Sequence, residues 1–323
     1  MQSIFLRASE LFEKSIGSGI DRNDMEEILN WPVDQVSVLF ACADQVRRHF
    51  HGNTVDPCSL MNIKAGGCPE DCAFCAQSAH NHTSVTVSGL ADPEKIKENL
   101  ENARRHNLPF CVVSSGRKLS KNEIKIIAGA LKDCQGEKHA SLGILDYEEF
   151  VILRDAGVSC YNHNIETCRS FFPEIVSTHT WEQRVETIKN AKKAGMKVCC
   201  GGIIGLGESR EQRIEFCEEI RTLDIDTVPL NFYIPVKGTG ISAPKESPFE
   251  LLKIVSLFRL AMPQRTIKVC GGREHHLGPL QNLIFFSGAN GYISGGYLTT
   301  SGAGIDADDL MLQKLELVKR EAG

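Results

Sequence analysis

Ser159-Cys-Tyr-Asn-His-Asn164, then Trp181 to Ala194, then Lys197-Val-Cys-Cys-Gly201 is the stretch on which the fold turns. Its first and last runs are short and β-rich. Between them apolar residues recur every three or four positions, the period of a helix with one buried face. Thr180 stands where an N-cap belongs, and Gly195 where the helix stops. Working outward, the same unit recurs. Further strand candidates run from Cys58 to Lys64, Phe110 to Val113, Lys138 to Leu142, Thr227 to Asn231, Thr266 to Cys270 and Gly291 to Ser294. Helical periodicity lies between them at Pro93 to His106, Asn122 to Lys132, Tyr147 to Ala156, Arg210 to Leu223, Pro248 to Met262 and Pro279 to Gly288. Ser120, Asp146 and Ser247 occupy cap positions and Gly157 closes a helix.

Eight such units predict an α/β fold, a (β/α)8 barrel of the TIM type, with active residues at the C-terminal ends of the strands. A doubly wound open sheet is the alternative, because periodicity carries no information about closure. Residues 1–55 read as a helical extension with an apolar stripe of Val33, Val36, Leu39, Phe40 and Ala43, expected to cover the bottom of the barrel. Residues 56–323 read as one continuous barrel domain, without internal repeat, low-complexity stretch or dividing linker.

A net charge of -5 and a pI near 6.1, with no long Lys/Arg block, argue against nucleic acid or an anionic membrane as partner. The expected partner is small. Charged residues interrupt every apolar run near the N-terminus, and no stretch approaches the roughly 18 apolar residues of a membrane span, so the expected location is the cytoplasm. Thirteen cysteines in a reducing compartment point to metal in place of disulfides.

Cys68-Pro-Glu-Asp-Cys72-Ala-Phe-Cys75 follows the first strand, where a barrel builds its site. Three thiolates in so tight a loop suit three irons of a cubane, leaving the fourth iron open to a small molecule. A structural zinc ion needs a fourth ligand, which His80 or His82 would have to supply. The motif resembles the signature of the radical S-adenosylmethionine (SAM) superfamily. That likeness implies a [4Fe-4S] cluster on Cys68, Cys72 and Cys75 whose open iron chelates SAM. Gly201-Gly-Ile-Ile-Gly-Leu-Gly-Glu208 is similar to the superfamily's SAM-packing segment, and through it Gly201, Gly202, Ile203, Gly205 and Glu208 are expected near the cofactor.

From about Asp44 to Leu315 the chain resembles the biotin synthase family. The likeness rests on Asn62-Ile-Lys64, the cysteine loop, Gln77-Ser-Ala79, Tyr161-Asn-His-Asn164, Val228-Pro-Leu-Asn231, Val236-Lys-Gly-Thr239, Gly272-Arg-Glu274, Gly288-Ala-Asn290 and Leu298-Thr-Thr300. It implies sulfur insertion into dethiobiotin at the expense of two SAM molecules, a flavodoxin or ferredoxin as electron donor, and a homodimer. Lys64, Asn162, Asn164 and Asn231 would bind the ureido ring, Asn164 would also touch the SAM ribose, and Glu166 would stand where the family has its ribose-binding acid. A neutral urea calls for amide partners that both donate and accept. Other radical SAM enzymes of the same group, of the hydrogenase-maturation or methylornithine-forming type, are the rival reading. A non-catalytic cluster scaffold is a more distant rival, having no use for the asparagines.

The family's auxiliary [2Fe-2S] site, three cysteines and an arginine, is altered. Cys111 and Cys199 keep two positions, but His139 replaces the third cysteine and Lys268 the arginine. Lysine is a poor replacement for a guanidinium ligand. Strand parity puts Cys270 on the face of Lys268, and Cys58 on that of Lys64. Cys58, Cys111, Cys199 and Cys270 are therefore expected to form an inward quartet for an auxiliary iron-sulfur cluster, a four-iron one with an extra sulfide being one form, with Cys200 and His139 in reserve. Cys42, Cys134, Cys160, Cys168 and Cys217 read as packing residues.

Overall fold

The protein is described here by a computed structural model covering residues 3–242, 246–296 and 304–321; Leu298-Thr-Thr300 lies outside the described residues. The strands are β1 Thr54–Lys64, β2 Phe110–Ser114, β3 Lys138–Ser141, β4 Val158–Asn162, β5 Lys197–Cys199, β6 Gly202–Ile204, β7 Thr227–Phe232, β8 Thr266–Val269, β9 Gly291–Ile293 and β10 Val318–Lys319. The helices are α1 Ile4–Ile16, α2 Arg22–Leu29, α3 Val36–His51, α4 Pro93–Arg105, α5 Lys121–Lys132, α6 Tyr147–Asp155, α7 Phe172–Ile175, α8 Trp181–Lys193, α9 Arg210–Thr222, α10 Pro248–Ala261, α11 Arg273–Leu277, α12 Leu283–Phe286 and α13 Ile305–Lys314.

Every pairing between named strands is parallel, and β1 pairs both with β2 and with β9, so the sheet closes. β5 and β6 both pair with β7 and together form one stave, giving eight staves in the ring. Closure removes the open-sheet alternative. The caps explain where the helices begin: Ser120, Thr180 and Ser209 each accept the amide three residues on, from Glu123, Gln183 and Gln212.

One expectation is corrected and a second is narrowed. Pro279 to Gly288 is not one helix but a 3-10 turn followed by the four-residue α12. Up to Phe285 its backbone bonds run to i−3, as in Gln281 N to Gly278 O (3.1 Å) and Ile284 N to Gln281 O (3.3 Å), and the i−4 bond from Ser287 N to Leu283 O (2.8 Å) comes only at the end of the segment. The N-terminal helices reach the expected floor at the end of α3, where Phe50 and His51 border a hollow with Asp56 and Arg320. Elsewhere they lie along the barrel's flank, where Lys253 donates to the carbonyls of Leu29 and Trp31 at 3.0 and 3.2 Å, Ser15 donates to that of Leu260 at 2.8 Å, and Arg22 pairs with Glu218. The cause is α10, which buries every residue from Leu251 to Ala261 and so requires a second layer outside it. At the N-terminal ends of the strands the floor is polar: Arg320, which follows β10, pairs with Asp56 and Glu137, and Asp56 also pairs with Lys268.

Candidate functional site

A cavity of about 280 Å³ runs along the barrel axis. Cys68, Cys72 and Cys75 line one end of it. Their loop is held by its own backbone: Cys68 donates to Gln77 O at 3.0 Å, Ala79 to Cys68 O at 2.8 Å, and the Asn81 amide to the carbonyls of Cys72 and Cys75 at 3.1 and 2.8 Å. Glu70, inside the motif, takes Thr178, His179 and Arg117, tying the loop to the approach of α8. Burial pushes the Cys72 thiol up to about 12 and raises that of Cys75. Such thiols become good ligands when a metal displaces the proton.

Cys58, Cys111, Cys199 and Cys270 line the same cavity, from β1, β2, β5 and the end of β8. Burial raises all four thiols above their ordinary value. Cys160, read as a packing residue, is buried and outside the cavity lining, but it lies close to the quartet. It lies two residues before Asn162 on β4, hence on the same face, and β-register places it beside His139, which is itself beside Cys111. Its thiol approaches the Asn162 side-chain oxygen at 3.7 Å. Cys200 points the other way, into the apolar core among buried neighbours, and is removed from the reserve. His139 is engaged below the cavity, its Nε2 3.0 Å from Glu137. Lys268 lines the cavity, yet its ammonium is 2.9 Å from Asp56 Oδ2. Burial works against that charge, but Cys58, Asp56 and Cys199 outweigh it and raise the lysine pKa.

Between the two groups of thiols stand the asparagines. Asn162 donates to Cys111 Sγ at 3.3 Å; Asn164 accepts from the Gly201 amide at 3.2 Å and donates to Glu166 at 3.3 Å; Asn231 accepts from the Gly271 amide at 2.9 Å and donates to Gly202 O at 3.1 Å. All three line the cavity, as does Glu166. Glu166 holds φ +67°, a conformation that local packing must enforce. Burial raises the pKa of its carboxyl. Arg184 was not found from sequence. From α8 it reaches the cavity, 3.4 Å from Glu166 and 2.9 Å from Asn164 O, and no local pattern marks a helix residue 20 positions from its partner.

Six candidates lie outside the lining. Lys64 follows an irregularity in the β1–β2 register between Asn62 and Lys64, and its ammonium lies 2.7 Å from Glu123, outside the cavity lining. The bulge overturns the alternation that aimed it inward. Glu208 spends its carboxylate on the amides of Gly205 (2.8 Å) and Leu206 (2.7 Å) and on Arg213 (2.8 Å), so it shapes the loop and does not face the cavity. Gly201, Gly202, Ile203 and Gly205 are likewise outside the lining. Two of these glycines permit close approach: a Cβ on Gly201 would fall 1.9 Å from Pro229 O, and one on Gly202 2.2 Å from Glu166 O. Gly202→Ala is expected to cost ~3 kcal/mol or more, because both clashing groups are backbone. Thermal unfolding measures it; an unchanged Tm would contradict the contact.

A thiol-lined (β/α)8 barrel with a three-cysteine loop after its first strand defines the class, a radical SAM protein, and residues 62–220 match the family model "Radical SAM superfamily". Residues 229–318 match "Biotin and Thiamin Synthesis associated domain". A biotin synthase of Geobacter sulfurreducens is 46% identical over 94% of this chain and 95% of its own length. One from Carboxydothermus hydrogenoformans is 41% identical over 97% and 99%. The chain belongs to the biotin synthase family, radical SAM enzymes that insert sulfur. In fold it is also similar to a crystal structure of methylornithine synthase, with TM-score 0.85 at 21% identity, covering 96% of this chain and 97% of that one. A [FeFe]-hydrogenase maturase is similar at TM-score 0.81 and 15% identity, over 99% and 77%.

Proposed function

We propose that this chain converts dethiobiotin to biotin in the barrel cavity, with the [4Fe-4S] cluster on Cys68, Cys72 and Cys75 and an auxiliary iron-sulfur cluster on Cys58, Cys111, Cys199 and Cys270. The observation that carries the reading is that both sets of thiols, from separate parts of the chain, line one cavity with Asn162, Asn164 and Asn231. The donor sets fit the groups. Soft thiolates suit iron-sulfur clusters, and neither set requires Lys268, whose ammonium is turned onto Asp56.

When bound, the cluster on Cys68, Cys72 and Cys75 would pass one electron from the reductant to SAM for its reductive cleavage, and the auxiliary cluster would supply sulfur. The chain's own residues position and exclude. Arg184 offers its guanidinium to the SAM carboxylate. Glu166, next to it, takes the ribose hydroxyls together with Asn164. The Gly201 to Glu208 loop packs on the cofactor through backbone, which Glu208 holds in shape. Asn162 stands beside Cys111 and brings an amide to the ureido ring at the sulfur-donating end. Leu60, Val113 and Ile293 give the cavity apolar wall, which keeps water from the radical. The proposal extends to a flavodoxin or ferredoxin as electron donor, a homodimer and a cytoplasmic location; among the described residues no helix is long and apolar enough to cross a membrane.

Anaerobic single turnover of the iron- and sulfide-reconstituted protein with SAM, a strong reductant and dethiobiotin tests the reading by mass spectrometry. The expected result is biotin at up to about one equivalent with about two equivalents of 5′-deoxyadenosine per biotin. Deoxyadenosine without biotin would overturn the substrate and leave the radical chemistry.

A further inference from the structure

Beneath the four thiols lies a chain of alternating charge. Lys268 is on β8, two residues before Cys270, and shares its face. Its side chain is 4% exposed. Asp56 Oδ2 receives the lysine ammonium at 2.9 Å, while Asp56 Oδ1 accepts from Arg320 Nε at 3.0 Å. Arg320 goes on to Glu137 at 2.8 Å, and Glu137 to His139 at 3.0 Å. The lysine is the member of this chain that reaches the cavity lining; Asp56, Arg320, Glu137 and His139 stay behind it.

The path of the lysine is fixed as well as its end. A Cβ on Gly291 would lie 2.6 Å from Lys268 Cγ and 2.6 Å from Asp56 O, so the absent side chain is the groove in which the lysine stem rests. An ammonium this deeply buried needs a partner, and Asp56 is that partner. Occupied by the carboxylate, it is not offered to a metal. A cationic head that cannot ligate, held at the base of four thiols, acts on them through its field.

We propose that Lys268 is a positioning residue for the auxiliary cluster, a fixed counter-charge, set in place by Asp56, that raises the cluster's reduction potential. The inference rests on the four-thiol site proposed above. A cluster held by four thiolates is anionic and gains one more negative charge on reduction, so a nearby cation stabilises the reduced state more than the oxidised one. Asp56, outside the cavity lining and behind the lysine, opposes this in part. In the cluster-loaded protein the anionic cluster is a second partner that keeps the ammonium charged when Asp56 is lost, so removing the ammonium lowers the potential and removing the carboxylate raises it.

Breaking one ion pair from its two sides distinguishes a field from a scaffold. Lys268→Met and Asp56→Asn destroy the same contact, so a structural role would change iron retention or Tm in the same sense in both. The electrostatic role gives shifts of opposite sign. The experiment is an anaerobic redox titration of the fully reconstituted protein, followed by absorbance and electron paramagnetic resonance, with the cluster of the Cys68 loop as internal reference. Lys268→Met is expected to titrate below wild type, Asp56→Asn above it, and Lys268→Arg close to it. Shifts of the same sign, or none, would overturn the proposal. If Lys268→Met fails to keep the second cluster, Asp56→Asn decides alone: an upward shift supports the proposal and a downward or absent shift ends it. Iron and sulfide analysis of wild type separates the two levels, since a protein that holds one cluster's worth of iron removes the four-thiol reading itself.

Discussion

Cys72→Ala is expected to bring 5′-deoxyadenosine formation down to background and to remove one cluster's worth of iron. Cys72 is the most enclosed of the three loop thiols, 7% exposed against the intermediate exposure of Cys68 and Cys75, and its carbonyl accepts from Asn81. The side chain can therefore be cut without removing the backbone bonds that shape the loop. Two thiolates remain, too few to retain three irons and keep the fourth open to SAM. Anaerobic assay with dithionite and SAM reads the nucleoside, and metal analysis reads the iron. Cys217→Ala is the matched control: that thiol is fully buried in the apolar core on α9, away from the cavity, and its loss should cost stability without changing either readout. Retention of SAM cleavage by Cys72→Ala would remove the loop from the chemistry.

The barrel was legible because its signals are local. Each strand is a short β-rich run, helices between the strands start on caps such as Ser120 and Thr180, and only closure had to be supplied by the β1–β9 pairing. The loop cysteines were legible for the same reason, three ligands within eight residues. What failed depends on side-chain contacts and register that strand parity and motif spelling do not show, even where the partners are near in sequence. Parity aims Lys64 inward, and the β1 irregularity next to Asn62 cancels it. A glutamate at the end of a glycine-rich segment looks like a cofactor ligand, yet Glu208 faces the amides of Gly205 and Leu206 and the guanidinium of Arg213.

Cys160 is a different case: it shares β4 parity with Asn162, yet Asn162 lines the cavity and Cys160 does not, so parity alone does not carry a thiol to the site. The placement of α1–α3 could not be read locally at all. An apolar stripe says that a helix needs cover, and the uniformly buried α10, some 200 residues away, says where.

Replacing Cys58, Cys111, Cys199 and Cys270 together by Ala is expected to abolish biotin formation and to remove the auxiliary cluster's share of the bound iron, while SAM cleavage at the other end of the cavity continues. The four thiols come from β1, β2, β5 and the end of β8, and the loop of Cys68, Cys72 and Cys75 is held by bonds to Gln77, Ala79 and Asn81 that involve none of them. The two functions should thus separate: 5′-deoxyadenosine persists, uncoupled from product. Four large-to-small changes in the barrel interior will cost stability, so a Ser-substituted quadruple variant, closer in volume, accompanies the Ala one. Cys160→Ala in the otherwise intact protein then tests the neighbouring β4 thiol, which lies outside the cavity lining. If the quadruple variant lost its second cluster but Cys160→Ala did not, the ligand set would be the quartet. If Cys160→Ala lost it and one quartet member did not, Cys160 would replace that member, which its register beside His139 and its shared face with Asn162 make structurally available. Full iron and full biotin yield in the quadruple variant would place the sulfur source elsewhere and end the auxiliary assignment.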